Sequence, residues 1–131
     1  MLGAAHAAAN PLTAHHELAH GHAVGLLLPH VVRFNAQELS VRELYARLAL
    51  EAGILDGGAS PEAAATELAN RLAHLLARTG LPETLDACGV QRAAIPMLAD
   101  EAARQWTATF NPRPLAPTDF VDLYTSAFGA R

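Results

Sequence analysis

AHGHAVGLLLPHVVRFN, residues 19–35, decides how the rest of the chain is read. Its Val24, Leu27, Leu28, Val31 and Val32 recur at three- and four-residue spacing, the period of an α-helix rather than the alternation of a strand. Apolar residues cover much of the circumference, so the stretch predicts a central helix from about Ala19 to Asn35, kinked at Pro29.

The helical period continues outward in both directions. Met1 to Ala9 reads as a short Ala-rich helix stopped by Asn10-Pro11, because proline biases the residue before it away from the helical region. Residues 10–18 then read as a loop. Downstream, Ser40 with Glu43 predicts a capping box opening a helix that runs to about Ala52 and ends at Gly53. Ser60-Pro61-Glu62 opens the next helix, with a buried stripe of Leu68, Leu72, Leu75 and Leu76 up to Gly80 and with Arg71 and Arg78 opposite. LPETLDACG, residues 81–89, suggests a short helical turn. Residues 93–107 suggest a further helix with Ile95, Leu98, Ala102 and Trp106 in the core. NPRPLAP, residues 111–117, is a rigid connector, after which Thr118 caps a final helix bearing Phe120, Val121, Tyr124 and Phe128. The expected fold class is therefore all-α, a helical bundle without a sheet.

Composition agrees and excludes several functions. A chain of 131 residues, 51% hydrophobic and 17% charged, suits one globular domain over residues 1–131. It should bury roughly two-thirds of its unfolded surface. All nine basic residues are Arg, so lysine Schiff bases and a Walker-type phosphate lysine are excluded. A net charge of −4 without an Arg cluster argues against nucleic acid as a partner. Cys88 is the single cysteine, so no intrachain disulfide forms and a cytoplasmic location is the default. The longest apolar run, Ala23 to Pro29, falls far short of the roughly 20 residues that span a bilayer. MLGAAHAAAN lacks the basic start and apolar stretch of a secretory signal.

Histidine is distributed unevenly. His6, His15, His16, His20, His22 and His30 fall in the first thirty residues and only His74 lies elsewhere. Glu17 is the sole carboxylate in that region, and the first arginine, Arg33, lies just beyond it. Neutral imidazoles with so little compensating charge make a candidate transition-metal site, although composition does not choose among them.

HAAANPLTAHHELAHGHAVGLLLPHVVRFN, from His6 to Asn35, resembles the signature of the iron-containing (group III) alcohol dehydrogenases. The resemblance continues in order through LYARLAL (Leu44 to Leu50), GLPETLDACGV (Gly80 to Val90) and NPRPL (Asn111 to Leu115), and so covers nearly the whole chain. It implies the later part of the family's dehydroquinate synthase-like C-terminal helical domain. The family's metal, Fe(II) or Zn, is held by an Asp and a His on an upstream helix and by two later histidines, and the later pair carries over onto His6 and His20. The upstream pair has no counterpart here, nor has the glycine-rich turn that binds NAD(P), so the resemblance implies a truncated or split-gene portion, inactive alone. Asn10 stands where many members carry a histidine near the nicotinamide, and an amide cannot titrate. His15, His16 and His22 match no ligand position, and His30 matches as a packing residue. Gly21 matches, its small size suiting a close approach of the helix start to the metal. The implied partners are a small alcohol or aldehyde and either the missing N-terminal dinucleotide-binding domain or a second copy of the chain. Alternative readings are a portion of a maleylacetate reductase or hydroxyacid-oxoacid transhydrogenase, and a non-catalytic helical interaction module.

Overall fold

The computed structural model describes residues 3–129, which form six α-helices and two 3-10 turns, with no strand among the described residues. The helices are α1 (Ala4–His16), α2 (His20–Asn35), α3 (Leu39–Glu51), α4 (Pro61–Ala77), α5 (Ile95–Ala103) and α6 (Pro117–Ser126). The 3-10 turns, Arg92–Ala94 and Trp106–Phe110, precede and follow α5. The expected all-helical class holds.

The central position of α2 follows from its apolar circumference. It packs against α1, α4 and α6, while α3 packs mainly on α4. The main core gathers Leu26, Leu27 and Val31 of α2 with the alanines of α1, Leu98 of α5, and Phe120 and Tyr124 of α6. A smaller core around Val32, Ala49, Leu68 and Ala69 joins α2 to the α3–α4 pair.

The first helix corrects the sequence reading. It does not stop at Asn10-Pro11 but continues to His16, so the loop expected over residues 10–18 shrinks to Glu17–Ala19. Met1 and Leu2, the start of the expected helix, lie outside the described residues. Proline inside a helix removes a backbone bond at a cost of about 3 kcal/mol. Tertiary burial offsets it: Ala4, Ala7, Ala8, Ala9 and Leu12 are fully buried, and Pro11 packs among them. The Tyr124 hydroxyl, itself fully buried, donates to Ala8 O at 2.7 Å beside the proline break. Burial raises the pKa of that hydroxyl, so it stays protonated as a donor.

Some helix ends differ from expectation and others match it. α3 begins at Leu39 with Glu38 at its N-cap and no side-chain cap bond, so Ser40 and Glu43 form no capping box. Its end is as read: Gly53 takes φ +67°, with Ile54 N bonded to Ala49 O and Gly53 N to Leu50 O, a Schellman motif. Ser60 does cap α4, accepting from Ala63 N at 3.2 Å. In α4 the stripe narrows to Leu68, Ala69 and Leu76, since Leu72 is half-buried and Leu75 exposed. Residues 81–89 hold the single short turn expected, with Cys88 N bonded to Thr84 O at 3.2 Å and Gly89 N to Asp86 O at 2.9 Å, and it does not extend into a helix. The helix expected over residues 93–107 breaks into the 3-10 turns and α5, and Trp106 leaves the core, 66% exposed. α6 starts at Pro117, before Thr118, with the Asp119 carboxylate accepting from Ala116 N at 2.6 Å.

Replacing Tyr124 by Phe removes the hydroxyl and leaves the buried Ala8 carbonyl without it. We expect a loss of about 1–3 kcal/mol in urea unfolding followed by circular dichroism. An unchanged unfolding midpoint would show that α1 does not rely on this bond.

Candidate metal centre

His6 is the third residue of α1 and His20 the first of α2. Ten residues of helix, about 15 Å, separate His6 from the end of α1, so a simple hairpin would leave the two histidines apart. The link Glu17–Ala19 solves this. Glu17 adopts the left-handed conformation at φ 54° and turns the chain back, Leu18 anchors the link in the core, and Ala19 is extended. The chain thus returns along α1 before α2 starts, and the fully buried alanines of α1 let the two helices approach closely.

The two imidazole rings lie 5.2 Å apart centre to centre, tilted by 49°. Metal–nitrogen bonds of about 2.0–2.1 Å at tetrahedral angles place two ligating rings about 5 Å apart, so the observed separation suits a shared ion. Burial, reinforced by the neighbouring His20, lowers the His6 pKa from its ordinary 6.5. His6 is therefore neutral at neutral pH, the form that binds metal. Among the described residues no group of three or more His, Cys, Asp or Glu side chains could hold an ion. The pair fits part of a shell, since a catalytic site uses three or more protein ligands.

Asn10 stands one helical turn after His6, and its Nδ2 donates to Gln105 Oε1 at 3.0 Å. Gln105 lies between α5 and the Trp106–Phe110 turn. The sequence reading missed it, because no local motif links residues 95 positions apart. Two of the other histidines are engaged elsewhere. His15 Nε2 meets Glu101 Oε2 at 2.8 Å, and His22 Nε2 donates to Pro82 O at 2.7 Å. His16 Nε2 is buried without a hydrogen-bond partner among the described residues. His30 is half-buried, its pKa pushed down to about 4 by burial and by nearby Arg33. A Cβ on Gly21 would meet nothing within 4 Å, so no close approach among the described residues requires glycine there.

Arg113 holds the connector. Its Nη1 donates to Phe34 O and Gln37 Oε1, both at 2.8 Å, and its guanidinium lies 3.8 Å over the Phe34 ring. It gives the Phe34 carbonyl, which already accepts from Gln37 N at 3.2 Å, a second partner at the end of α2.

The family model described as "Fe-containing alcohol dehydrogenase family, C-terminal" matches residues 1–128. Lactaldehyde reductase of Escherichia coli K12 is 35% identical over 127 residues, covering 97% of this chain and 33% of the relative. The 1,3-propanediol dehydrogenase of Citrobacter freundii is 33% identical over 97% of this chain and 32% of its own length. The crystal structure of a 1,3-propanediol oxidoreductase superposes with a TM-score of 0.89 at 30% identity, covering 96% of this chain and 32% of that one. The chain thus spans about a third of the length of the relatives it matches.

The low pKa values set a direction for stability. His30 titrates near 4 in the fold and near 6.5 when unfolded, so across that window the unfolded chain binds more protons. Stability is accordingly full above pH 6.5 and falls as the pH drops toward 4; His6 contributes in the same direction. Urea midpoints measured across the window should decline on acidification, and His30→Leu should flatten the profile. A chain that grows more stable on acidification there would contradict the assignment.

Proposed function

The chain belongs to the Fe-containing alcohol dehydrogenase family, whose C-terminal part it carries, and from that premise we propose that it is the helical, metal-binding portion of a metal-dependent, NAD(P)-linked alcohol dehydrogenase. The observation behind the proposal is the His6–His20 pair, two imidazoles brought to 5.2 Å by the reversal at Glu17, with His6 kept neutral by burial.

In this reading His6 and His20 each present a ring-nitrogen lone pair to one Fe(II) or Zn ion, and the remaining ligands and the dinucleotide-binding domain come from a part that precedes this region in the relatives. A bound metal polarises the alcohol or aldehyde oxygen as a Lewis acid while NAD(P) takes up or delivers hydride. The work of this chain is to hold the two imidazoles at fixed separation, with His6 kept neutral by burial. Asn10 orients by hydrogen bonding and does not relay protons, since an amide has no titratable proton near neutral pH. An apolar groove beside the start of α2, lined by Gly25, Leu28, Leu72, Leu75 and Leu81, offers the preceding part a surface to pack on. Without that part the chain lacks the means to hold the nicotinamide and is inactive alone.

Two measurements test the proposal. In calorimetric titration the isolated chain should bind Zn or Fe(II) weakly, and the His6→Ala, His20→Ala double variant should lose that binding. Equal binding by both would move the site to His15, His16 or His22. Mixed with the first two-thirds of the E. coli lactaldehyde reductase, the chain should restore metal-dependent alcohol oxidation that His20→Ala abolishes. A complex that forms and binds metal yet transfers no hydride would favour a non-catalytic interaction module.

A further inference from the structure

The Asn10–Gln105 bond differs from the other amide pair of the fold. Asn35 and Asn111 exchange bonds in both directions, and their remaining polar groups meet Tyr45, Ala4 and Arg113. That pair is closed. Asn10 and Gln105 share a single bond, Nδ2 to Oε1. Among the described residues the Asn10 Oδ1 acceptor and the Gln105 Nε2 donors make no hydrogen bond, and neither is among the buried polar atoms left without a partner. Both side chains are half-buried. The pair therefore presents an open acceptor and an open donor, each reachable from outside.

A purely structural role does not account for this arrangement. The turn carrying Gln105 is already held by its backbone, with Gln105 N bonded to Ala102 O and Ala108 N to Gln105 O. α1 is already tied to α6 by the Tyr124 hydroxyl and to α5 by His15 with Glu101. The position of the pair matters more. Residues four apart on a helix have Cβ atoms about 5–6 Å apart on one face, so Asn10 flanks His6 on the side away from the start of α1. The open amide groups thus stand one helical turn along α1 from His6, beside the proposed metal site.

We propose that Gln105, oriented by Asn10, is a specificity-determining residue that hydrogen-bonds a second oxygen on the substrate, so that the site prefers diols or hydroxyaldehydes over plain alkanols. The inference rests on the dehydrogenase reading and names the substrate class for it. Two complementary roles are available: a Gln105 Nε2 proton goes to the substrate hydroxyl oxygen, and the hydroxyl proton goes to Asn10 Oδ1. Both groups are neutral, so the recognition is independent of pH where a histidine at position 10 would make it vary. A site built to bond a hydroxyl discriminates strongly against the analogue that lacks it, because its own polar groups then lose water without a replacement.

The test compares 1,2-propanediol with 1-propanol, using the metal-loaded complex of this chain with the first two-thirds of the E. coli lactaldehyde reductase. With the native pair, kcat/KM should favour the diol. Gln105→Leu should lower kcat/KM for the diol by tenfold or more and leave that for 1-propanol within about twofold. Gln105→Glu keeps the acceptor for Asn10 but removes the free donor, and it should lose the preference in the same way. Equal effects on both alcohols, no effect on either, or a preference retained in Gln105→Glu would overturn the role of Gln105 while leaving the dehydrogenase reading intact. A native complex that binds metal and oxidises neither alcohol would overturn the dehydrogenase reading and this inference with it.

Discussion

The closed amide pair of Asn35 and Asn111 is the constraint on which the arrangement of the helices depends. Asn111 Nδ2 donates to Asn35 Oδ1 at 2.7 Å and to Arg113 O at 2.6 Å, and Asn111 Oδ1 accepts from Asn35 Nδ2 and from Ala4 N. Asn35 is 1% exposed, and a buried amide is tolerated only when its polar atoms find partners. Here the partners come from the start of α1, the end of α2, Tyr45 of α3 and the connector ahead of α6. Gly3, at the N-cap of α1, has no side chain with which to cap the helix, and Asn111 does so from across the molecule. A Cβ at Gly3 would lie 3.1 Å from Asn111 Oδ1, so the smallest residue suits that contact. Because His6 follows two residues after Ala4, the same network fixes where the first imidazole stands.

The second imidazole depends on small side chains. Ala4, Ala7, Ala8 and Ala9 are fully buried, and only residues of that size let α2 lie close enough to α1 for rings from both to meet. The same burial explains why α1 tolerates Pro11. A helix turn lost at Asn10 would expose the apolar face carrying Leu12 and move Asn10 off the face it shares with His6. Local propensity and tertiary packing disagree at Pro11, and packing decides the outcome.

The His6–His20 pair, with no third His, Cys, Asp or Glu grouped with it among the described residues, accords with the proposal that this region supplies part of a site. The exposed Trp106 and Phe110, stacked edge to face at 5.4 Å, stand on the turn that follows Gln105. Trp106 thus stands exposed where the sequence reading assigned it to the core.

The sequence by itself determined the helical class, most helix positions, the central place of residues 20–35 and the Gly53 and Ser60 helix ends, and its resemblance singled out the His6 and His20 on which the proposed metal site rests. These are properties of periodicity, of local backbone chemistry and of short motifs, which neighbouring residues encode. Tertiary structure alone decided the continuation of α1 through Pro11, the exposure of Trp106 and Leu75, and the partnership of Asn10 with Gln105. Each of these turns on what lies against a residue from a distant part of the chain. Burial energy and long-range hydrogen bonds outweigh the smaller local preferences there, and no window along the sequence contains both partners.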